Sequence, residues 1–189
     1  MRLKEYEEKD LNEAQLKVYK AIASGPRGGV RGPFNVLLRC PELADRVQHL
    51  GEYCRYGSSL SPRISEFAII ITGRYWFSQI EWAAHLKLAL EGGLSKDVSD
   101  QLALGKRPTG MQPDEAAAFD FCNELHHNHE VSDATYAEAV KQFGENGVVD
   151  LMAVSGYYTL VAMILRVSQK ALPGGGPDPL KPIPPGPFR

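Results

Sequence analysis

Residues 61–95 constrain this chain most, because they combine a long apolar run with titratable side chains at helical spacing. Pro62 suits the first turn of a helix, where a missing N–H costs little. Ser78-Gln79-Ile80-Glu81 has the S-x-x-E pattern of a capping box and would begin a second helix, which Gly92-Gly93 would end. The segment therefore predicts two consecutive helices with a break near residues 75–78.

The first of these helices could also be a strand. Phe67-Ala68-Ile69-Ile70-Ile71-Thr72 is rich in β-branched residues, which favour a buried strand. The segment is, however, longer than most strands and lacks turn residues on both sides. Apolar residues all round a helix indicate burial inside an all-α domain. We therefore predict an all-α fold with this helix in the core.

Two acids and a histidine on these helices form a candidate site. Glu66 lies on an otherwise apolar stripe with Gly73, a residue that lets another backbone or a ligand approach. Glu81 and His85 are four residues apart and share a helical face. A carboxylate beside an imidazole can orient it and raise its pKa. A purely structural interpretation stays open: Glu81 would cap its helix, His85 would be a hydrogen-bonded core histidine, and Glu66 would pair with Arg63.

The same residues carry a family resemblance. Glu66 and the later pattern Trp82-x-x-His85-x-x-x-Ala89-x-x-x-Gly93-Leu94-Ser95 resemble the signature of the carboxymuconolactone decarboxylase family. The wider superfamily includes the AhpD-type alkylhydroperoxidases. The resemblance implies an AhpD-like helical fold, a homo-oligomer such as a trimer or hexamer, and an enzyme that uses neither a metal nor an organic cofactor.

One departure from the superfamily pattern concerns its thiols. AhpD-type enzymes carry a Cys-x-x-Cys pair where this chain has Ser78 and Glu81. Dithiol peroxide reduction needs an attacking thiol of low pKa and a resolving partner. The resemblance therefore points away from a Cys-x-x-Cys peroxidase and towards the decarboxylase branch.

Length and charge narrow the classes of function. We expect one helical domain over residues 1–172 and an extended tail rich in proline and glycine over residues 173–189. A net charge of −2 gives no electrostatic case for nucleic acid or a membrane surface. No apolar run approaches membrane-spanning length, and the polar N-terminus does not resemble a secretory signal. The three cysteines are odd in number and widely spaced, which favours reduced thiols over disulfides. We therefore expect a cytoplasmic protein.

Two further segments contain candidate ligands. In the glycine-rich loop 25–33, Arg27 and Arg31 could bind a carboxylate or phosphate, and a flexible connector is the alternative. His126-His127-Asn128-His129 suggests a metal at first sight, but only the first and last of these residues share a helical face. Histidines at a helix C-terminus are also favourable electrostatically. We therefore predict no metal site.

The resemblance implies roles for residues around the helical histidine. In the subgroup that the chain resembles, a Gly-Pro-Phe-Asn segment lies near that histidine, so Asn35 would donate a hydrogen bond to substrate; a helix cap is its alternative role. Arg31 or Arg39 would hold an anion. Tyr75 and Trp82 would form an apolar wall.

These implications lead to one expected function and two alternatives. The leading hypothesis is a cofactor-independent carboxy-lyase that acts on a small carboxylated lactone. In it His85 transfers the proton, and Glu66 or Glu81 orients His85 and sets its pKa. The second hypothesis keeps the pocket for hydrolysis or isomerisation of a lactone. The third is a non-enzymatic helical oligomer that binds a small molecule, a form that the apolar final helix from about residue 147 would favour.

Overall fold

The computed structural model describes residues 2–3 and 5–183. Within these residues the chain forms eight α-helices and no strand, so the all-α prediction is confirmed. The helices are α1 (Glu13–Ser24), α2 (Phe34–Leu37), α3 (Pro41–Glu52), α4 (Pro62–Tyr75), α5 (Gln79–Glu91), α6 (Lys96–Ala103), α7 (Pro113–Asn128) and α8 (Asp133–Ser168). A 3₁₀ turn (Glu8–Asp10) precedes α1, and a π-helical turn (Tyr53–Gly57) follows α3 directly.

Helix α4 is the centre of the fold and packs against α5, α7 and α8. Its residues from Ile64 to Arg74 are all buried. The Ser61 hydroxyl accepts a hydrogen bond from the Ile64 amide at 3.3 Å, and Pro62 occupies the first turn. The β-branched run is therefore helical, because neighbouring helices bury it on every side.

The chain reverses between α4 and α5 at residues 76–78, where the break was predicted. Phe77 adopts a positive φ of 52°, and the Ser78 amide donates to the Gly73 carbonyl at 2.8 Å. The predicted capping box is wrong, because the Ser78 side chain makes no capping hydrogen bond. The Glu81 side chain is consequently not used to cap its own helix.

Gly73 allows α5 to pack close to α4. A Cβ atom added at Gly73 would lie 3.5 Å from Cβ of Glu81 and 3.6 Å from the backbone nitrogen of Trp82. These are already van der Waals distances, so a larger side chain would push the two helices apart. The neighbour that this glycine admits is thus the backbone of α5.

Helix α8 departs from helical geometry at Gly144, where φ is 69° and ψ is 172°. The expectation that no apolar run approaches membrane-spanning length is wrong for this helix, which is long and apolar enough to cross a bilayer. Of its most apolar 18-residue window, 56% is buried inside the protein. This helix supplies core side chains such as Leu151 and Val154.

The proline- and glycine-rich tail is described as far as Ile183 and lies against its own chain. The Gln79 amide accepts a hydrogen bond from the Leu180 nitrogen at 2.8 Å and donates to the Leu180 carbonyl at 3.0 Å. Leu180 is buried, and Arg74 donates to the Lys181 carbonyl at 2.9 Å. Residues 184–189, the remainder of the predicted tail, lie outside the described residues.

Candidate active site

Glu66 of α4 and His85 of α5 form a hydrogen bond across the two central helices. Nδ1 of His85 lies 2.6 Å from Oε2 of Glu66, and the two side chains are only 12% and 11% exposed. The chain reverses between α4 and α5, so α5 runs back along α4. His85, one turn after Glu81, therefore lies beside Glu66. The acid that contacts the histidine is therefore on the neighbouring helix.

This hydrogen bond determines which nitrogen of His85 is free to take a proton. An ionised carboxylate only accepts hydrogen bonds. With Glu66 ionised, Nδ1 of His85 therefore carries the hydrogen and donates the hydrogen bond to Oε2 of Glu66. Nε2 of the neutral ring then keeps its lone pair. The Tyr158 ring meets the imidazole edge-on, with ring centroids 4.9 Å apart. The imidazole is thus oriented by a carboxylate and an aromatic ring.

The structural pairing of Glu66 with Arg63, which the sequence left open, is not formed. Arg63 instead donates to Asp114 at 2.6 Å and to Glu115, both in the first turn of α7. This ion-pair group fastens the start of α4 to α7. It leaves Glu66 without a cationic neighbour on its own helix and available to His85.

Glu81 is a buried carboxyl group without a hydrogen-bond partner among the described residues. The residue is 2% exposed, and neither Oε1 nor Oε2 is paired. Burial raises the pKa of Glu81 to about 8, because it penalises the charged form. The nearby Ser78 hydroxyl lowers the pKa by less than burial raises it. Glu81 is therefore largely protonated at neutral pH.

A cavity of about 310 Å³ adjoins Glu81 and His85. Its apolar lining comes mainly from α5 and α8, through Ile80, Ala84, Leu88, Val161 and Leu165, and is completed by Pro33, Phe34 and Pro173. A volume of this size suits a small organic molecule, at the lower end of the usual range for ligand pockets. One side of the cavity thus offers apolar contact, and His85 adds an imidazole, whereas the carboxyl oxygens of Glu81 are inaccessible to solvent.

Four cationic side chains line the same cavity: Arg27, Arg31, Arg55 and Lys170. Lys170 already pairs with Glu5. Within residues 2–3 and 5–183, the three arginines form no ion pair with a carboxylate. A pocket with unpaired positive charge and apolar walls attracts small organic anions.

The fold is similar to that of a solved structure. A protein of unknown function from Agrobacterium tumefaciens, suggested to be the antioxidant defence protein AhpD, superposes with a TM-score of 0.60 at 16% identity. The match covers 76% of this chain and 99% of that protein. The helical architecture thus resembles an AhpD-like structure. No family model matches the sequence, and no curated protein matches it significantly.

Of the residues proposed from sequence, five lie at the cavity. Glu81, His85, Arg27 and Arg31 line it, and Glu66 contacts His85. The approach of Glu66 to His85 depends on the α4–α5 turn, which the sequence predicted. Arg31 reaches the cavity from the glycine-rich loop before α2.

Two proposed polar residues do not line the cavity. The Asn35 side-chain amide donates to Glu5 at 3.1 Å, and the Arg39 guanidinium stacks over the Tyr6 ring with its carbon 4.7 Å from the centroid. Both side chains contact the N-terminal segment beside α2, so they lie away from the cavity that His85 lines. Nothing in residues 33–39 alone indicates this long-range contact.

The two aromatic residues proposed as an apolar wall also lie elsewhere. Trp82 is buried and is absent from the described cavity lining. Tyr75 stacks on His126 with ring centroids 4.8 Å apart. The wall is built instead from aliphatic side chains of α5 and α8 and from Tyr157 and Tyr158.

Sequence reasoning missed Arg55, Tyr157 and Tyr158. Arg55 lies in the π-helical turn after α3, and the two tyrosines are in the middle of α8. A buried Tyr-Tyr pair in an apolar helix is the one local signal, because buried phenol groups usually find a polar partner. No local signal marks Arg55.

His126, near the end of α7, is buried and hydrogen-bonded within the protein. Nε2 of His126 lies 2.9 Å from the Thr72 hydroxyl. Burial lowers the pKa of His126 to about 4, which keeps its ring neutral. In the described part of the chain, no group of three or more His, Cys, Asp or Glu side chains could hold a metal ion.

Proposed function

We propose that this protein is a cofactor-independent enzyme, similar to the carboxymuconolactone decarboxylases, that moves a proton on a small carboxylated lactone or related acid. The observation that carries the proposal is the Glu66–His85 hydrogen bond at 2.6 Å beside a cavity with unpaired arginines. An imidazole oriented in this way is a suitable general base or proton relay.

The pairing of Glu66 and the burial of Glu81 remove an electrostatic objection. An acidic substrate would be repelled by two ionised carboxylates. Glu66 is partnered by His85, and burial raises the pKa of Glu81 to about 8, so Glu81 is mainly neutral at neutral pH. The arginines that line the cavity then dominate its charge. The cavity is therefore electrostatically suited to an anion.

In a decarboxylation, the bond between a substrate carbon and its carboxylate carbon breaks and carbon dioxide leaves. The electron pair remains on the substrate as a dienolate, which needs hydrogen bonds and then one proton. A protonated His85 can supply that proton from Nε2 and regain one from water after product release. Glu66 would stabilise the charge that His85 acquires while it carries the proton.

Hydrolysis of a lactone is the second candidate, and the oriented imidazole of His85 beside the cavity favours it. Nε2 of His85 would take a proton from water as the oxygen adds to the lactone carbonyl. The same nitrogen would return the proton to the ring oxygen as the C–O bond breaks. This reaction requires no carboxylate on the substrate, which separates it from decarboxylation.

One assay separates these reactions and the purely binding hypothesis. Matched lactones with and without a carboxylate are incubated with the protein, and carbon dioxide, base consumption and the thermal midpoint are recorded. Decarboxylation releases gas only from the carboxylated lactone, and hydrolysis consumes base without gas. Ligand-dependent stabilisation without turnover would reject both enzyme hypotheses.

His85→Ala is the catalytic control in this assay, and Glu91→Gln is the matched surface control. We expect His85→Ala to abolish turnover, because no other imidazole lines the described cavity. Glu91 is exposed on the same helix and should be replaceable without loss. Full turnover by His85→Ala would refute the proposed mechanism.

We also propose that the protein associates with itself through α8. Exposed residues at 3- and 4-residue spacing form one stripe along this helix: Val149, Met152, Gly156, Leu160, Met163 and Val167. This spacing is that of a helix-pairing seam, and a Cβ added at Gly156 would meet no atom within 4 Å. A second copy supplies an identical stripe, which a two-fold axis can place against the first.

A further inference from the structure

Arg27 and Arg55 have buried guanidinium atoms that lack partners. Both residues line the cavity, Arg27 from the loop after α1 and Arg55 from the π-helical turn. The Nε atom of each is inaccessible to solvent and has no hydrogen-bond partner in residues 2–3 and 5–183. A buried cationic donor without a partner costs free energy, so a site of this kind favours an anionic ligand.

The surroundings of Arg27 are built to hold its side chain in place. Its guanidinium lies over the Phe34 ring, 4.8 Å from the centroid, and Nη2 donates to the Tyr157 hydroxyl at 3.5 Å. Gly51 in α3 makes room for this group, because a Cβ atom there would overlap both the Tyr157 hydroxyl and the Arg27 guanidinium. Three separate elements thus position one cation.

Arg55 reaches the cavity because α3 changes to π-helical geometry just before it. The wider turn at Tyr53–Gly57 places Arg55 differently from a continued α-helix. Its guanidinium stacks on the neighbouring Tyr56, 5.0 Å from the ring centroid. Arg55 and Arg27 both act electrostatically on the buried Tyr157 and Tyr158. The two cations therefore face the same pair of tyrosines.

The other two cations of the cavity are less suited to hold a ligand. Lys170 is already paired with Glu5. Arg31 is exposed on its loop and contacts the Gly28 carbonyl through Nη2 at 3.4 Å. Arg27 and Arg55 are the cavity cations with buried unpaired donors, among the residues described.

We propose that Arg27 and Arg55 form a clamp for a carboxylate that the substrate keeps throughout the reaction. The reaction that this substrate undergoes rests on the proposed function, whereas the binding of the anion does not. Paired guanidinium groups stabilise a planar carboxylate as an anion through parallel hydrogen bonds. A carboxylate stabilised in this way resists loss as carbon dioxide, because that loss would remove the ion pairs. The reacting end of the substrate therefore lies at Glu81 and His85.

Benzoate binding to the intact protein, measured by calorimetry, tests the clamp without any turnover. Benzamide, which has the same shape without the charge, is the matched ligand, and inorganic phosphate represents the other common oxyanion. We expect benzoate to bind, benzamide to bind at least tenfold more weakly, and phosphate to bind no more tightly than benzoate. Tighter binding of phosphate, or equal binding of benzamide, would overturn the assignment to a carboxylate.

The variants Arg27→Gln and Arg55→Gln should each weaken benzoate binding tenfold or more. Arg55→Lys keeps the charge but loses the fork of donors, and it should bind with intermediate affinity. Arg46→Gln, an exposed residue of α3, is the surface control and should bind like the unmodified protein. Far-UV circular dichroism verifies the fold of each variant, and Arg27→Lys replaces Arg27→Gln if the latter does not fold. Unchanged benzoate affinity in folded variants of both arginines would overturn the clamp.

This experiment separates the failure of the clamp from failure of the proposed reaction. If no lactone is turned over but benzoate binding depends on both arginines, the clamp stands and the reaction is rejected. If a lactone is decarboxylated while Arg27→Gln and Arg55→Gln keep their KM and their benzoate affinity, the clamp is rejected and the reaction stands.

Discussion

Nδ1 of His85 lies 2.6 Å from a carboxylate oxygen of Glu66, although the two residues belong to different helices. The turn at residues 76–78 brings α5 back along α4, and Gly73 permits the close approach. His85 therefore presents Nε2 as its free nitrogen, next to a cavity that also contains Glu81.

Glu66→Gln should lower turnover of a carboxylated lactone by about 100-fold, in the range of general acid–base effects. The amide preserves the shape of the side chain but removes the charge that stabilises a protonated His85. Steady-state kinetics across pH measure the effect, and Glu91→Gln is the control on an exposed face. Turnover equal to that of the unmodified protein would show that Glu66 does not act through His85.

The raised pKa of Glu81 should make the protein less stable as pH rises. In the unfolded chain this carboxyl ionises near its ordinary pKa of 4.5, whereas in the folded protein its pKa is about 8. Between these values the folded state holds the extra proton. The stabilisation is complete below the unfolded pKa and is lost as pH rises through the folded pKa, by at most about 1.4 kcal/mol per pH unit.

Glu81→Gln removes this titration, so its stability relative to the unmodified protein should increase with pH up to about pH 8. Urea denaturation at several pH values measures the difference in the free energy of unfolding. Glu91→Gln, with an exposed carboxylate, should show a constant difference. A constant difference for Glu81→Gln as well would mean that Glu81 ionises normally in the folded protein.

Gly51→Ala should destabilise the protein by about 1–3 kcal/mol, as overpacking usually does. The added methyl group would overlap the Tyr157 hydroxyl and the Arg27 guanidinium, so benzoate affinity should fall too. Gly176→Ala is the control, because a Cβ atom at this exposed position would meet nothing within 4 Å. There alanine should change the free energy of unfolding by less than about 0.5 kcal/mol. If Gly51→Ala were equally neutral, the close packing beside Arg27 would be wrong.

Only Cys40 should react readily with a thiol reagent in the folded protein. Cys40 is exposed, whereas burial raises the pKa values of Cys54 and Cys122 to about 11. A thiol of high pKa contains little of the reactive thiolate. Ellman's reagent should therefore titrate one thiol per chain in buffer and three in denaturant. Rapid reaction of a second thiol in native conditions would reopen the question of dithiol chemistry.

Leu160→Lys and Met163→Lys should each shift the protein towards smaller species in light scattering after size exclusion. Both residues lie on the exposed stripe of α8. Self-association through this stripe would bury the introduced lysine without a partner for its charge. Asn146→Lys adds the same charge at another exposed position of α8 and should leave the mass unchanged. A monomeric unmodified protein would reject self-association through this face.

Local sequence was informative where neighbouring residues determine the structure. Pro62 after Ser61, the apolar run and the break before Gln79 specify two helices and the turn between them, since capping and short turns depend on adjacent residues. The spacing of Glu66, Glu81 and His85, together with the family resemblance, then pointed to the acid–histidine group. Which acid would contact the imidazole was not determined, because that depends on how the helices pack.

The sequence by itself thus determined the all-α architecture, the α4–α5 hairpin and the residues that carry the proposed proton transfer. Only the tertiary structure decided the charge and composition of the cavity. Arg27, Arg55 and Tyr157 are far apart in the chain and meet because α3, the π-helical turn and α8 pack together around Gly51. Contacts of that kind depend on burial and helix packing across the whole domain, which residue patterns along the chain do not encode locally.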